Sequence, residues 1–201
     1  MVKKIILATR NKHKLKEIKY LLNFKDIDIL TLNDFDNIPE VEESGKSYYE
    51  NAYLKASLIN KLTNFPVLSD DSGLEVEFLG NRPGIYSKRY AGKNGTDKDR
   101  IMKLLNELEG VEFKNRRARF VCCAFFVYNK KIFNVIGFCD GFIAFEPKGK
   151  NGFGFDPVFY IPELGKTMAQ LSFEKKNIIS HRANAFKKIR EIILKELYND
   201  K

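Results

Sequence analysis

Four stretches of this chain bring together side chains suited to phosphate and metal chemistry. In Thr9-Arg10-Asn11-Lys12-His13-Lys14 a hydroxyl, an amide and several cations follow the apolar run 5–8 and precede the helical stripe Leu15, Ile18, Leu21 and Leu22. A loop from strand to helix presents the N–H groups of a helix N-terminus, which stabilise an anion; an ordinary polar turn reads the same way. In Asp70-Asp71-Ser72-Gly73 two adjacent carboxylates follow the strand-like run 66–68. Adjacent carboxylates repel unless a cation or a proton relieves them. With Glu42-Glu43 they could supply the hard oxygen ligands of Mg²⁺, or they form a solvated acidic turn.

The third stretch, Gly152-Phe153-Gly154-Phe155-Asp156-Pro157, sets two aromatics and a carboxylate in a glycine-hinged loop. A phenyl face there could stack on a nucleobase or fill a core. The fourth, Lys176 with Ser180-His181-Arg182, puts three basic side chains and a hydroxyl at one helix start. Cations there oppose the helix macrodipole, so either an anion or carbonyl oxygen lies nearby or the group is surface charge. Gly45-Lys46-Ser47 ends like a Walker A loop, but Glu40 stands where its leading glycine belongs and no strand feeds it. It is not read as a phosphate-cradling loop.

Periodicity supplies the elements that must carry these residues. Residues 4–8 read as a buried strand, the following stripe as a helix, and 27–30 as a second strand. Ser47 to Glu50 forms a capping-box pattern opening a helix with Ala52, Ala56, Ile59 and Leu62 on one face. Thr96 caps another helix, with Ile101, Leu104, Leu105 and Leu108 as its stripe and Gly110 as its stop. Two aromatic and β-branched runs within 118–142 flank Asn129-Lys130-Lys131 and predict a hairpin. Residues 146–162 read as an ordered loop. The last helix spans about 180–197, with Phe186, Ile189, Ile193 and Leu197 inward. The expected class is α/β, with a central mixed β-sheet flanked by helices. No linker or repeat divides the chain, so one domain is drawn over 1–201.

A length of 201 residues suffices for one well-buried domain. Lysine and arginine outnumber aspartate and glutamate 35 to 26, a net charge of +9 that favours a polyanion: nucleic acid, an anionic membrane or a phosphorylated small molecule. No stretch approaches the ~20 apolar residues of a membrane span. The start, Met1-Val2-Lys3-Lys4 and four apolar residues, is too short for a signal-peptide core, so a cytoplasmic protein is expected. Cys122, Cys123 and Cys139 form no C-x-x-C pair and read as buried reduced thiols. His13 and His181 have no zinc-ligand spacing.

Together the segments ILATRNKHKLKEI (5–17), EESGKSYYENAYLKA (42–56), LSDDSGLEVEFLGNRPGIYSKRYAG (68–92) and GFGFDPVFYIPELGKTMAQLSFEKKNIISHRANAF (152–186) resemble the noncanonical purine NTP pyrophosphatases, the inosine/xanthosine triphosphate pyrophosphatases. The resemblance implies an elongated, two-lobed α/β fold with the active site in a cleft, a homodimer and a requirement for Mg²⁺. It implies that Thr9 to Lys14 and Lys55 hold the triphosphate, that Glu42 and Asp71 serve the metal, and that Asp71 is also the general base. Ser72 would touch substrate. Phe153, Gly154, Phe155 and Asp156 would line the base pocket, with Lys176, His181 and Arg182 reading the purine. Arg10 and His13 depart from the family's first loop, where glycines are common; a backbone needing positive φ would be uncomfortable there.

The implied reaction is attack of water on the α-phosphorus of ITP, dITP or XTP, releasing the monophosphate and pyrophosphate. Donors aimed at the 6-position would favour a 6-oxo purine over a 6-amino one, at about 1–3 kcal/mol per mismatched polar group. The rivals are another house-cleaning nucleotide pyrophosphatase and a basic nucleic-acid-binding module. The latter would show a Lys/Arg stripe interleaved with aromatics and no carboxylate cluster, whereas this chain has the cluster. A small-molecule purine NTP is therefore expected as partner, with no stable nucleic acid and no membrane.

Overall fold

In the computed structural model, residues 3–35 and 38–198 are described. The domain drawn over 1–201 and the N-terminal reading of Met1-Val2 thus extend beyond the described residues. The chain opens with β1 (Lys3–Leu7), α1 (Lys12–Leu22), β2 (Ile27–Thr31), α2 (Tyr48–Thr63) and β3 (Val67–Val76). It continues through β4 (Arg82–Gly84), α3 (Asp97–Glu107), β5 (Arg117–Tyr128) and β6 (Lys131–Ile143). It closes with β7 (Phe159–Ile161), β8 (Lys166–Thr167), α4 (Phe173–Ile179) and α5 (His181–Tyr198). The strands form one mixed sheet in the order β2-β1-β3-β5-β6-β7-β8, with β4 paired to β3. β1 is parallel to β2 and β3, while β3–β4, β6–β7 and β7–β8 are antiparallel. This is the expected α/β class with a central mixed sheet. Asn129 and Lys130 join β5 to β6, both at positive φ as a tight hairpin turn requires.

The chain packs as two compact units. The first comprises residues 1–71, 122–137 and 182–201. Its central strands β1, β3 and β5 are covered on both faces, which explains why Ile5-Ile6-Leu7 is apolar without alternation. Ile5 and Leu7 of β1 and Cys122, Ala124 and Phe126 of β5 pack with α1 and α5. The intervening Ile6, Ala8, Cys123, Phe125 and Val127 pack with Ala52, Ala56 and Ile59 of α2. Alternate strand residues thus serve opposite layers, as the two-residue strand period dictates. Each fully buried Phe or Ile here stabilises the unit by about 1.5–3 kcal/mol.

The second unit comprises residues 72–121 and 138–181. Leu74 and Val76 of β3, Ile101 and Leu104 of α3, Phe120 of β5, and Phe155, Val158 and Phe159 form its core. Thr96 caps α3 through the full capping box, with Asp99 returning the bond. At α2 the box is only half made: Ser47 accepts from Glu50 N, but Glu50 reaches Lys46 N instead of Ser47 N. The region 146–162 is not all loop, since β7 lies within it. The helix expected over 180–197 is preceded by α4, whose C-cap Ser180 has extended backbone and separates the two helices. Lys176 therefore lies on α4 and not at the start of α5 with His181 and Arg182.

Candidate active site

The first unit gathers five carboxylates and amides around three cations. Asp70 and Asp71 are consecutive on β3, so their side chains leave opposite faces. Asp70 joins the α1/α5 layer, where Lys14 Nζ lies 2.8 Å and Arg182 Nη2 3.7 Å from its Oδ2. Arg182 is also bound at 2.6 Å by Glu17 of α1, both side chains being almost completely buried. Burial alone would raise the Asp70 carboxyl, but Lys14, Arg182 and Lys55 together hold it well below the ordinary carboxylate range. The acidic turn expected at 70–73 is instead buried strand, stabilised by these ion pairs.

Asp71 joins the α2 layer. Asn51 Nδ2 donates to its Oδ2 at 3.0 Å, and Lys55 Nζ stands 3.8 Å from its Oδ1. Lys55 also donates to Glu43 Oε1 at 2.7 Å and to the Asp70 carbonyl at 2.6 Å. Asn51 and Lys55 are four residues apart and so share one face of α2. Burial raises the Asp71 carboxyl, against the pull of Lys55 and Lys14, and Glu43 raises it further. For Lys55 the balance is reversed: burial disfavours its charge, yet Asp71, Glu43 and Asp70 outweigh that and raise its pKa. Glu42, expected beside the metal, is exposed, and Glu43 is the carboxylate bound to Lys55.

The loop after β1 is built by its own side chains. Asn11 caps α1, accepting from His13 N at 2.9 Å and Lys14 N at 3.2 Å, so two of the helix donors counted toward an anion already have a partner. Thr9 Oγ1 accepts from Asn11 N. Arg10 donates to Asn33 Oδ1 and the Ile38 carbonyl. Lys12 and His13 are exposed. Neither Arg10 nor His13 has positive φ, so the absence of glycine brings no strain. Gly45 donates to Asn51 Oδ1, and a Cβ there would meet Glu50 and Asn51 at under 3 Å. Packing, not phosphate binding, accounts for it.

Hard oxygen donors are present for Mg²⁺. Glu43 and Asp71 flank Lys55, and Asp70 Oδ1 is buried with no hydrogen-bond partner among the described residues. No group of three His, Cys, Asp or Glu side chains among the described residues could hold a metal alone. One or two carboxylates completed by substrate phosphates are a common Mg²⁺ arrangement, and this donor set fits it.

The second unit holds the aromatic loop. Gly152 and Gly154 have φ of 76° and 62°, and a Cβ on Gly152 would lie 2.0 Å from Asp156 Oδ2. Asp156 Oδ2 accepts from Phe153 N at 2.8 Å and is paired with the buried Lys176 ammonium. That ammonium lies 4.7 Å from the centre of the half-buried Phe153 ring. Phe155, expected in a base pocket, is buried in the core edge-on to Tyr90. His181 stacks on Phe120, ring centres 4.7 Å apart. Ser72 is half-buried at the end of the acidic segment. Lys176, Phe153 and Asp156 are thus brought together, and Arg182 is placed with Glu17 and Asp70.

Sequence reasoning passed over Glu17, Asn51 and Asp97, whose Oδ2 accepts from Gly154 N at 2.7 Å. Glu17 left one signal, a carboxylate adjoining the apolar stripe of α1, and Asn51 another, its four-residue spacing from Lys55. All three cysteines are free; Cys122 and Cys123 are buried as expected, while Cys139 is half-buried. Burial pushes the Cys123 thiol up to about 11 and the Cys139 thiol up to about 12, so neither is a thiolate nucleophile at neutral pH.

Known proteins resemble this chain over nearly its whole length. A dITP/XTP pyrophosphatase of Geobacillus kaustophilus is 47% identical over 191 residues, covering 94% of each chain. One of Bacillus subtilis is 43% identical over 194 residues, covering 96% of this chain and 98% of its own. The solved Ham1 protein of Staphylococcus aureus superposes with a TM-score of 0.87 at 42% identity, covering 96% and 100% of the two chains. The HAM1 protein of Coxiella burnetii does so with 0.88 at 41%, covering 95% and 98%. The model described as the Ham1 family matches residues 5–192, from the first buried strand through the helix that carries Arg182, and the chain belongs to that family.

Proposed function

We propose that this protein hydrolyses noncanonical purine nucleoside triphosphates, dITP, ITP and XTP, to the monophosphate and pyrophosphate in the cytosol. The observation that carries the reading is the buried Asp71 carboxylate, oriented by Asn51, flanked by Lys55 and raised toward proton acceptance. The relatives named dITP/XTP pyrophosphatase supply the substrate class.

Asp71 takes a proton from water as that water attacks the α-phosphorus, and pyrophosphate leaves. Lys14 and Lys55, with Thr9, Asn11 and their neighbours in the loop, offset the charge of the triphosphate. Asp71, with Glu42 or Glu43, would hold Mg²⁺, which would supply neutralisation of the phosphate oxygens. Phe153 offers a face to any purine. Lys176 and His181 offer donors that a 6-oxo group accepts and a 6-amino group cannot. Arg182, whose Nη atoms face Glu17 and Asp70, would add a further donor for the purine.

Pyrophosphate release measured over dITP, ITP, XTP, ATP, GTP, dUTP and TTP, with Mg²⁺ and with EDTA, tests this. Turnover of the first three in Mg²⁺ alone is expected. Undiminished turnover in EDTA would remove the metal, and equal use of ATP would remove the base selectivity.

A further inference from the structure

The glycine-hinged loop that carries Phe153 is tied down both within itself and by segments far along the chain. Asn151 N and Nδ2 donate to the carbonyls of Ala169 and Leu171 at 3.0 and 2.8 Å. Asp156 N and its carboxylate close the turn on Phe153. The crest of the loop is also reached from α3: Asp97 Oδ2, in its first turn, accepts from Gly154 N at 2.7 Å. Asp97 is itself gripped by Arg100, whose guanidinium also donates to the carbonyls of Lys88 at 2.9 Å and Gly95 at 2.6 Å. Its charge is favoured at the helix N-terminus.

Gly154 has φ of 62° and nothing within 4 Å of where a Cβ would stand, so local sterics do little to hold it. Phe153 precedes it directly, with the Lys176 ammonium beneath its ring. The crest of the loop is therefore set from two sides, by Asp156 inside the turn and by Asp97 from α3. We infer that Asp97, backed by Arg100, is a positioning residue for base recognition: its bond to Gly154 N fixes the Phe153 ring where a purine would stack. This rests on the proposed reading of Phe153 as the base platform.

The test pairs Asp97→Ala with Asp97→Asn, which keeps an oxygen able to accept from Gly154 N. Amide hydrogen exchange over residues 153–155 reads the clamp without reference to catalysis. Faster exchange is expected in D97A and near-native protection in D97N; unchanged exchange in D97A overturns the clamp. With ITP as substrate, D97A is expected to raise KM about tenfold with kcat little changed, and D97N to restore most of it. Inhibition by inorganic tripolyphosphate, which has no base, is expected to be equal in all three proteins. A KM that stays put, or an equal loss of tripolyphosphate binding, overturns the positioning role. If the unaltered protein failed to hydrolyse ITP, the proposed function would fall, while the exchange result would still decide whether Asp97 holds the loop.

Discussion

Lys14 Nζ sits 2.8 Å from Asp70, whereas Asp71, the next residue, answers to Asn51 at 3.0 Å and Lys55 at 3.8 Å. Two carboxylates joined by one peptide bond thus occupy different electrostatic settings, one lowered and one raised. Divergent environments of this kind are how neighbouring acids take different tasks. In the proposed mechanism Asp70 would be a fixed counter-charge and Asp71 the proton acceptor.

Substitution separates the two. Asp71→Asn is expected to cut turnover of every substrate roughly 10²–10⁴-fold while leaving the protein folded. Asp70→Asn leaves Lys14 and Arg182 short of a buried partner and is expected to cost about 3–5 kcal/mol of stability. Turnover and thermal unfolding of both variants check this; a D71N protein with near-native turnover would remove Asp71 from the chemistry.

The pH dependences run in opposite directions. The Asp70 pKa is lowered in the folded protein, so its stabilisation is full above the ordinary value of 3.8 and is lost as pH falls through the folded value. The Asp71 pKa is raised, so its contribution to stability is full below 3.8 and is lost as pH rises through the folded value. The acid limb of kcat/KM is accordingly expected above pH 3.8, in a range where the protein is still folded. Paired rate and circular dichroism titrations measure both, and an acid limb coincident with unfolding contradicts the assignment.

Lys176→Met removes a donor from beneath Phe153. The ratio of ITP to ATP turnover is expected to fall roughly tenfold to a hundredfold, as for one lost donor. The buried Asp156 is left without its ammonium, so a lower Tm is expected as well. Ratios measured well below that Tm separate the two effects; an unchanged ratio would assign Lys176 to the support of Asp156 alone.

A homodimer is expected in solution. Sedimentation at micromolar concentration should give twice the 23.3 kDa of the chain, and a single species at 23.3 kDa would refute it.

The elements with strong local signals were legible in the sequence. Thr96 and Asp99 cap α3 as their spacing required, and Asn129 begins the hairpin turn where two β-rich runs meet. What escaped depends on partners far along the chain. Ser69 to Gly73 reads as a turn by composition, yet β3 runs straight through it because Lys14, Lys55 and Arg182 neutralise its acids. Glu17 meets Arg182 across 165 residues, which no local pattern encodes. β7 and β8, of three and two residues, are too short to display a period.

Three cations of the candidate site are already matched: Lys14 to Asp70, Lys55 to Glu43 and Arg182 to Glu17. The net charge of +9 therefore does not reside in these residues. In the proposed reaction an incoming polyphosphate would swap places with an internal carboxylate instead of filling an empty positive well, and the departing pyrophosphate would hand each cation back to a waiting counter-ion.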